Sequence, residues 1–309
     1  MVKGLVLAFH KEENSELLER ILLALKARYS LISATRLEQL LSEGTSTSNV
    51  CHITFDDGLQ SFYTVVFPLL KKHHVPVSLF VSPEIIRTGD NFWFQETEDY
   101  KEEIIKDILA REMHVSGDKL AGFSSQAVFK CLPVCQIKKI IALYQQQENC
   151  GKRPSQNMSI EQLKEVDHSG LVAVGAHTIN HPVLKNEDDD SCVYEIEESV
   201  SALAELLEHP VRYFAYPNGR PGIDFGEREM NCLRRNNIAM AFSTELDTLS
   251  PGNDLLSIPR MGFARMGLSP SNPLVKIRMI LGKNWFDVKS VGKPTEKEVR
   301  EKIKAILAG

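Results

Sequence analysis

Short apolar runs alternate with amphipathic stretches along most of this chain. Residues 2–9 form an apolar run that reads as a buried strand. Residues 15–28 follow with Leu17, Leu18, Ile21, Leu22 and Leu25 apolar, the three-and-four spacing of a helix that buries one face. The pairing recurs. Residues 29–33 read as a short strand ahead of a helix capped by Thr35 and running to residue 43. Residues 50–55 read as a strand, 61–72 as a helix and 75–81 as the next strand. After a break, the pattern predicts strands at 171–176, 211–216, 238–243 and 255–258, with helices at 192–207 and 225–236 between them. Ser159, with Gln162 three positions on, has the form of a capping box opening a helix to residue 169. The break itself, residues 88–157, holds charged helical stretches, the cluster Phe92-Trp93-Phe94 and irregular links. It reads as a largely helical insertion, because the strand-helix rhythm resumes after it. From Pro273 the tail holds two helical segments, the last over 295–307.

Repeated strand-helix units joined by short links imply parallel strands with helices outside them. The number of units favours a (β/α) barrel over an open sheet, and such barrels carry their chemistry where strands end and loops begin. The expected organisation is an α/β barrel domain over residues 1–270 that includes the insertion, then a helical tail over 271–309. Composition changes this picture little. With 309 residues, 43% hydrophobic and 25% charged, the chain can bury one large core. A net charge of -5, with no basic stripe and no interleaving of aromatic and basic residues, excludes nucleic acid as the expected partner. The N-terminal apolar run is broken by charge too soon for a signal segment, and nothing approaches the ~20 apolar residues of a membrane span. A cytoplasmic location is therefore expected. The six cysteines lack a framework spacing and read as reduced, buried thiols. The acidic run at 187–190 reads as a solvated helix N-terminus.

Two places carry candidate chemistry. Thr54-Phe55-Asp56-Asp57-Gly58 follows an apolar strand with two adjacent carboxylates, so one can hold a metal while the other faces a substrate; the same letters also describe an ordinary turn. His177 and His181 follow the apolar run at 171–176, and two imidazoles four residues apart converge on one ion if the loop forms a helical turn. His52, His73, His74, His114, His168 and His209 have no comparable partner and are left unassigned. Two histidines and one aspartate leave coordination positions open, the pattern of a catalytic divalent metal site. Zinc suits this donor set best, and cobalt, nickel or iron would also fit. Such an ion lowers the pKa of a water it binds to about 7.

These motifs, in this order, resemble the polysaccharide deacetylase (NodB-homology) family. Its first motif, T-F-D-D-G, matches residues 54–58 letter for letter, and its second, H-[ST]-x-x-H, matches residues 177–181. Residues 214–219 resemble its third motif in the form F-A-Y-P-x-G, and Ile258-Pro259-Arg260 resembles a closing strand of related members. The resemblance covers residues 1–265, leaving out the insertion and the tail. It implies a distorted (β/α)7 barrel, with Asp56 as general base, Asp57, His177 and His181 as metal ligands and the Asn218 amide as oxyanion donor. The implied reaction is metal-dependent removal of an acetyl group from an N-acetylated amino sugar. The carbohydrate would be an oligosaccharide, a polysaccharide or a glycan precursor.

Two departures qualify the match. Many members carry an Arg two residues before the motif Pro, where this chain has Ala215; Arg260 is the replacement candidate and Arg212 the second, against a surface salt bridge as the plain alternative. No histidine follows His209, so the late-motif acid is missing. His10 ends the first strand and resembles the Y-H near the start of members that act on poly-N-acetylglucosamine. Barrel closure would bring it beside the last strand, and an imidazole is a natural acid for a departing amine. A hydrolase for small cyclic amides and a carbohydrate-binding protein with lapsed catalysis remain as competing functions, and the oligomeric state stays open. The cluster at 92–94 is expected in the core of the insertion rather than as a sugar platform. The tail helix, with Ile303, Ile306 and Leu307, is expected to dock on the barrel rather than on a second subunit.

Overall fold

The computed structural model describes residues 2–262 and 295–308. Eight strands form one sheet: β1 (Leu5–Phe9), β2 (Ser30–Leu31), β3 (Val50–Phe55), β4 (Val77–Val81), β5 (Val172–Ala176), β6 (Tyr213–Ala215), β7 (Met240–Phe242) and β8 (Met261–Gly262). Their spatial order is β7-β6-β5-β4-β3-β1-β8, with β2 added beside β3, and every pairing is parallel. Parallel strands are covered on both faces, which is why these segments read as apolar runs rather than as alternations. Leu5, Leu7 and Phe9 pack with α1 (Ser15–Lys26) in the main core. Val6, on the other face, joins Phe80, Tyr213, Phe242 and Ile258 in a second cluster.

The two sheet edges are joined by the segment that leads into β8. Ile258 bridges Phe242 on β7, with the Ser243 amide donating to the Ile258 carbonyl at 2.8 Å. Three residues later Met261 and Gly262 lie beside Leu7 and Ala8 of β1. The sheet therefore curls into a distorted (β/α)7 barrel, as expected. The last strand is not at 255–258, however; that stretch makes only the isolated bridge. Pro259 has no N–H with which to continue the ladder on β7, and the chain changes partner there.

Other boundaries shift for local reasons. The helix α2 (Ala34–Ser42) is capped by Ser33, whose Oγ accepts from the Arg36 amide at 3.2 Å; Thr35 sits inside the first turn. The helix expected at 61–72 begins as a π-turn over Phe62–Val66 and continues as α3 (Phe67–His73). Pro68 lacks the N–H that would bond back to residue 64, so the ladder widens ahead of it. Helix α10 (Ile160–His168) has the expected capping box of Ser159 and Gln162. Helix α11 (Asp189–Leu207) starts three residues before its expected position because Asp188 caps it, accepting from the Ser191 amide at 2.7 Å. Helix α12 (Glu227–Arg235) completes the barrel units.

Between β4 and α10 the chain forms α4 (Pro83–Thr88), α5 (Trp93–Glu96), α6 (Glu102–Glu112), α7 (Gly117–Leu120), α8 (Ser125–Phe129) and α9 (Val134–Glu148). These helices have a core of their own, built on Trp93, Ile105, Ile108, Leu109, Phe129, Ile137 and Ile140. The tail helix α13 (Glu296–Leu307) buries Ile303 in that same cluster. It is also tied to the barrel loops by a buried ion pair of Arg300 with Asp224, an ion pair of Glu296 with Arg220, and a hydrogen bond from Lys304 to Asn186. The tail helix thus packs its apolar face on the insertion as well as meeting the barrel, where docking on the barrel was expected. The other expected tail helix lies outside the described residues. No helix among the described residues is long and apolar enough to cross a membrane. All six cysteines are unpaired; Cys51, Cys131, Cys192 and Cys232 are buried, whereas Cys135 and Cys150 are exposed.

Candidate metal centre and active site

Loops leaving the C-terminal ends of β3, β5 and β6 carry Asp56, Asp57, His177, His181 and Asn218, at the end of the barrel where strand-end chemistry belongs. Each loop holds backbone that non-glycine residues rarely adopt: φ is +76° at Asp57, +64° at Thr178, +57° at His181 and +58° at Asn218. Such strain persists only where the surroundings over-determine it, and it concentrates at functional sites. Gly58 continues the turn at φ +69°, and a Cβ there would lie 2.8 Å from the Val81 side chain. Glycine is required at that position by both space and backbone.

Asp57, His177 and His181 converge, with one potential ligand atom from each lying within 4.8 Å of the others. The Nε2 atoms of His177 and His181 are 3.8 and 3.7 Å from Asp57 Oδ1, too far for hydrogen bonds. Asp57 Oδ1 is buried and has no hydrogen-bond partner among the described residues. A buried carboxylate oxygen left so is costly, and a cation shared with the two imidazoles removes the cost. His177 Nδ1 lies 2.6 Å from the Ala215 carbonyl, which places the ring proton on Nδ1 and leaves the Nε2 lone pair facing Asp57. Burial lowers the pKa of His177, and burial with the neighbouring His177 lowers that of His181 well below its ordinary value, so both rings favour the neutral, ligating form. Burial raises Asp57. The donor set fits a divalent metal.

Asp56 faces a different partner. Arg260 Nη1 and Nη2 donate to its two carboxylate oxygens at 2.7 and 2.9 Å. The same guanidinium reaches Thr54 Oγ1 at 3.0 Å and the Ser243 carbonyl at 3.1 Å, and it lies against the rings of Phe80 and Phe242. With Arg260 0% exposed, the surface-bridge alternative is excluded. Arg212, the second candidate, pairs with Glu38 instead. Burial pushes the Asp56 carboxyl up, but Arg260, His177 and His10 together outweigh it and hold the group well below the usual carboxylate range. His52, unassigned from sequence, is buried behind this wall. It is bonded to the Ile32 carbonyl and Ser78 Oγ, stacks against Phe242, and has its pKa brought down to about 4 by burial.

His10 stands at the rim, 55% exposed, with Nε2 3.7 Å from Asp56 Oδ2. Asn218 has its side-chain Nδ2 buried without a partner among the described residues. His10, Asp56, Asp57, His177, His181 and Asn218 all line one cavity of about 320 Å³, with Tyr216, Thr244 and Leu246 beside them. Arg260 stands behind Asp56, so the structure gathers all seven candidate residues.

The family model for polysaccharide deacetylases matches residues 43–121 and 125–231, more than half of the chain. The chain belongs to the polysaccharide deacetylase family. Solved structures share the deacetylase fold. The deacetylase PplD of Streptococcus pyogenes, in complex with acetate, has a TM-score of 0.58 at 18% identity, covering 90% of this chain and 98% of its own. IcaB from Ammonifex degensii has a TM-score of 0.58 at 20% identity, with 90% and 97% covered. A de-N-acetylase from Aggregatibacter actinomycetemcomitans gives 0.57 at 16% identity, with 90% and 100% covered. No curated protein matches the sequence.

One residue that holds the deacetylase site together escaped the sequence reading. Glu195 on α11, 2% exposed, accepts hydrogen bonds from the amides of Ile179 and Asn180, both at 2.9 Å, and from Asn180 Nδ2 at 2.6 Å. It clamps the strained loop between His177 and His181. Its signal was present: a carboxylate in register with Cys192, Ile196, Ser199 and Leu203 on the buried face of a helix, where an unpaired charge is not tolerated. Replacing it as Glu195→Ala should weaken metal affinity about tenfold or more, the usual size for a residue that orients ligands. Zinc competition against a chromophoric chelator measures this, and unchanged affinity would show the loop holds its shape unaided.

Proposed function

We propose that this deacetylase hydrolyses the N-acetyl group of an amino sugar within an oligosaccharide, a polysaccharide or a glycan precursor. The carrying observation is the joint placement of an ionised, Arg-locked Asp56 and an Asp-His-His cluster in one cavity. A divalent ion held by Asp57, His177 and His181, zinc by preference with cobalt, nickel or iron as alternatives, would supply Lewis acidity and make water acidic enough to give up a proton near neutral pH. Asp56 is the base that accepts a proton from the water attacking the acetyl carbonyl. Arg260 keeps the carboxylate charged and fixes its plane, the positioning that makes a general base effective. The Asn218 amide is the assigned donor to the developing oxyanion. His10, at the rim beside Asp56, gives a proton to the leaving amine, so the products are acetate and the free amino sugar.

The decisive assay is acetate release from N-acetylglucosamine, its oligomers and lipid-linked forms, with and without chelator. Chelation should stop release and zinc should restore it. A metal-loaded protein that frees no acetate from any N-acetylated sugar would refute the proposal. In the same assay His10→Ala should slow kcat about a hundredfold. This is the low end for a general acid, because an exposed position lets water substitute. A rate near that of the unmodified enzyme would remove His10 from the mechanism.

A further inference from the structure

Part of the catalytic cavity is lined not by the barrel but by the insertion, through Trp93, Phe94, Gln126 and Lys130. Trp93 is anchored at both ends. Its ring is buried in the insertion core against Phe129, at 5.9 Å and 71°, and its Nε1 donates to the His181 carbonyl at 3.0 Å. Phe94 is held by three rings: stacked on Phe92 at 5.2 Å and 8°, and in edge contacts with Trp93 at 5.5 Å and His181 at 5.0 Å. Phe92 covers one face of Phe94, yet Phe94 stays half-buried and lines the cavity, so part of its ring is presented there. Gln126 lines the same cavity, its amide oriented by a 2.9 Å bond to Thr97 Oγ1. A fixed aromatic face beside an amide is the chemistry that recognises a pyranose, whose C–H face is apolar and whose rim carries hydroxyls.

We propose that Phe94 is a substrate-contacting residue whose cavity-facing ring packs against the reacting amino sugar, making the insertion a source of sugar specificity. Its 5.0 Å approach to His181 puts that ring beside the reacting centre rather than at a distant subsite. The inference rests on the deacetylase reading above. It extends the sequence expectation for this cluster: Trp93 lies in the insertion core and Phe94 packs against it as foreseen, and both also line the site.

The test compares the unmodified enzyme with Phe94→Ala and Phe94→Tyr, each checked for folding by thermal melting. Phe94→Ala should raise KM for tri-N-acetylglucosamine about tenfold, with kcat changed little and zinc affinity unchanged; Phe94→Tyr should restore KM. Weakened zinc affinity with KM intact would mean that Phe94 acts through His181, overturning the proposal, as would no effect on either. Calorimetric binding of the same trisaccharide separates the two levels of inference. If the unmodified protein released no acetate, the hydrolytic reading would fall. Binding that Phe94→Ala weakens would still support the platform, and binding indifferent to Phe94→Ala would overturn it.

Discussion

Asp56→Asn lowers kcat by about four orders of magnitude, the upper range for loss of a general base, while metal content stays at one ion per chain. The two aspartates are adjacent, but their surroundings assign different work. Asp57 Oδ1 faces two imidazole nitrogens and has no hydrogen-bond donor among the described residues, whereas both Asp56 oxygens are engaged by Arg260. The amide of Asn has the shape of the carboxylate but cannot accept a proton from water near neutral pH. Its NH2 also opposes one guanidinium donor, so one arm of the bidentate pair is lost. Metal analysis alongside kcat makes the result decisive: loss of the ion instead of the rate would show that the two aspartates have exchanged roles. The unmodified enzyme should also show no acid limb attributable to Asp56 near neutrality, since Arg260 keeps that carboxylate ionised far into acid.

Arg260→Met should be the most destabilising change at the site, costing about 3–5 kcal/mol, because it leaves a buried carboxylate without its counter-charge. Asp56 in the folded enzyme sits below its ordinary pKa of 3.8, so the pair stabilises the fold above that pH, and the contribution fades as pH falls through the folded value. In the variant, burial is opposed only by His177 and His10 and raises Asp56, and a raised acid costs stability above the unfolded pKa. The gap in melting temperature between the two proteins should therefore be largest at neutral pH and shrink below about pH 4. The acid limb of kcat/KM should move to higher pH in the variant. Arg260→Lys, which keeps a charge but not the two-pronged geometry, should fall between. An acid limb unmoved in Arg260→Met would show that Arg260 does not set the state of Asp56.

The legible parts of the site share a property: their meaning is local. An apolar run of five or six residues marks a parallel strand, and the first polar residues after it must emerge at the strand end. Asp56, Asp57 and His177 could therefore be placed from their positions after residues 50–55 and 171–176. His10 was placed at its strand end in the same way, but its exposure was not. Arg260 was named as a candidate, yet nothing in Ile258-Pro259-Arg260 separates a buried partner of Asp56 from a surface bridge; barrel closure across 204 positions decides it. Ser33 and Thr35 are both competent caps, and the choice followed from how Ala34 and Leu37 pack into the barrel.

The chain's own pattern determined the α/β class, the parallel order of strand and helix, and which loops hold the carboxylates and imidazoles, because periodicity and strand-end position need no knowledge of neighbours. Tertiary structure alone decided that Glu195 clamps the histidine loop, that Trp93 and Phe94 of the insertion reach the catalytic cavity, and that the tail helix packs on the insertion. Amphipathic spacing reports that a face is covered without saying what covers it. Hydrogen bonds and ion pairs between distant segments exist only once the sheet has curled and brought those segments together.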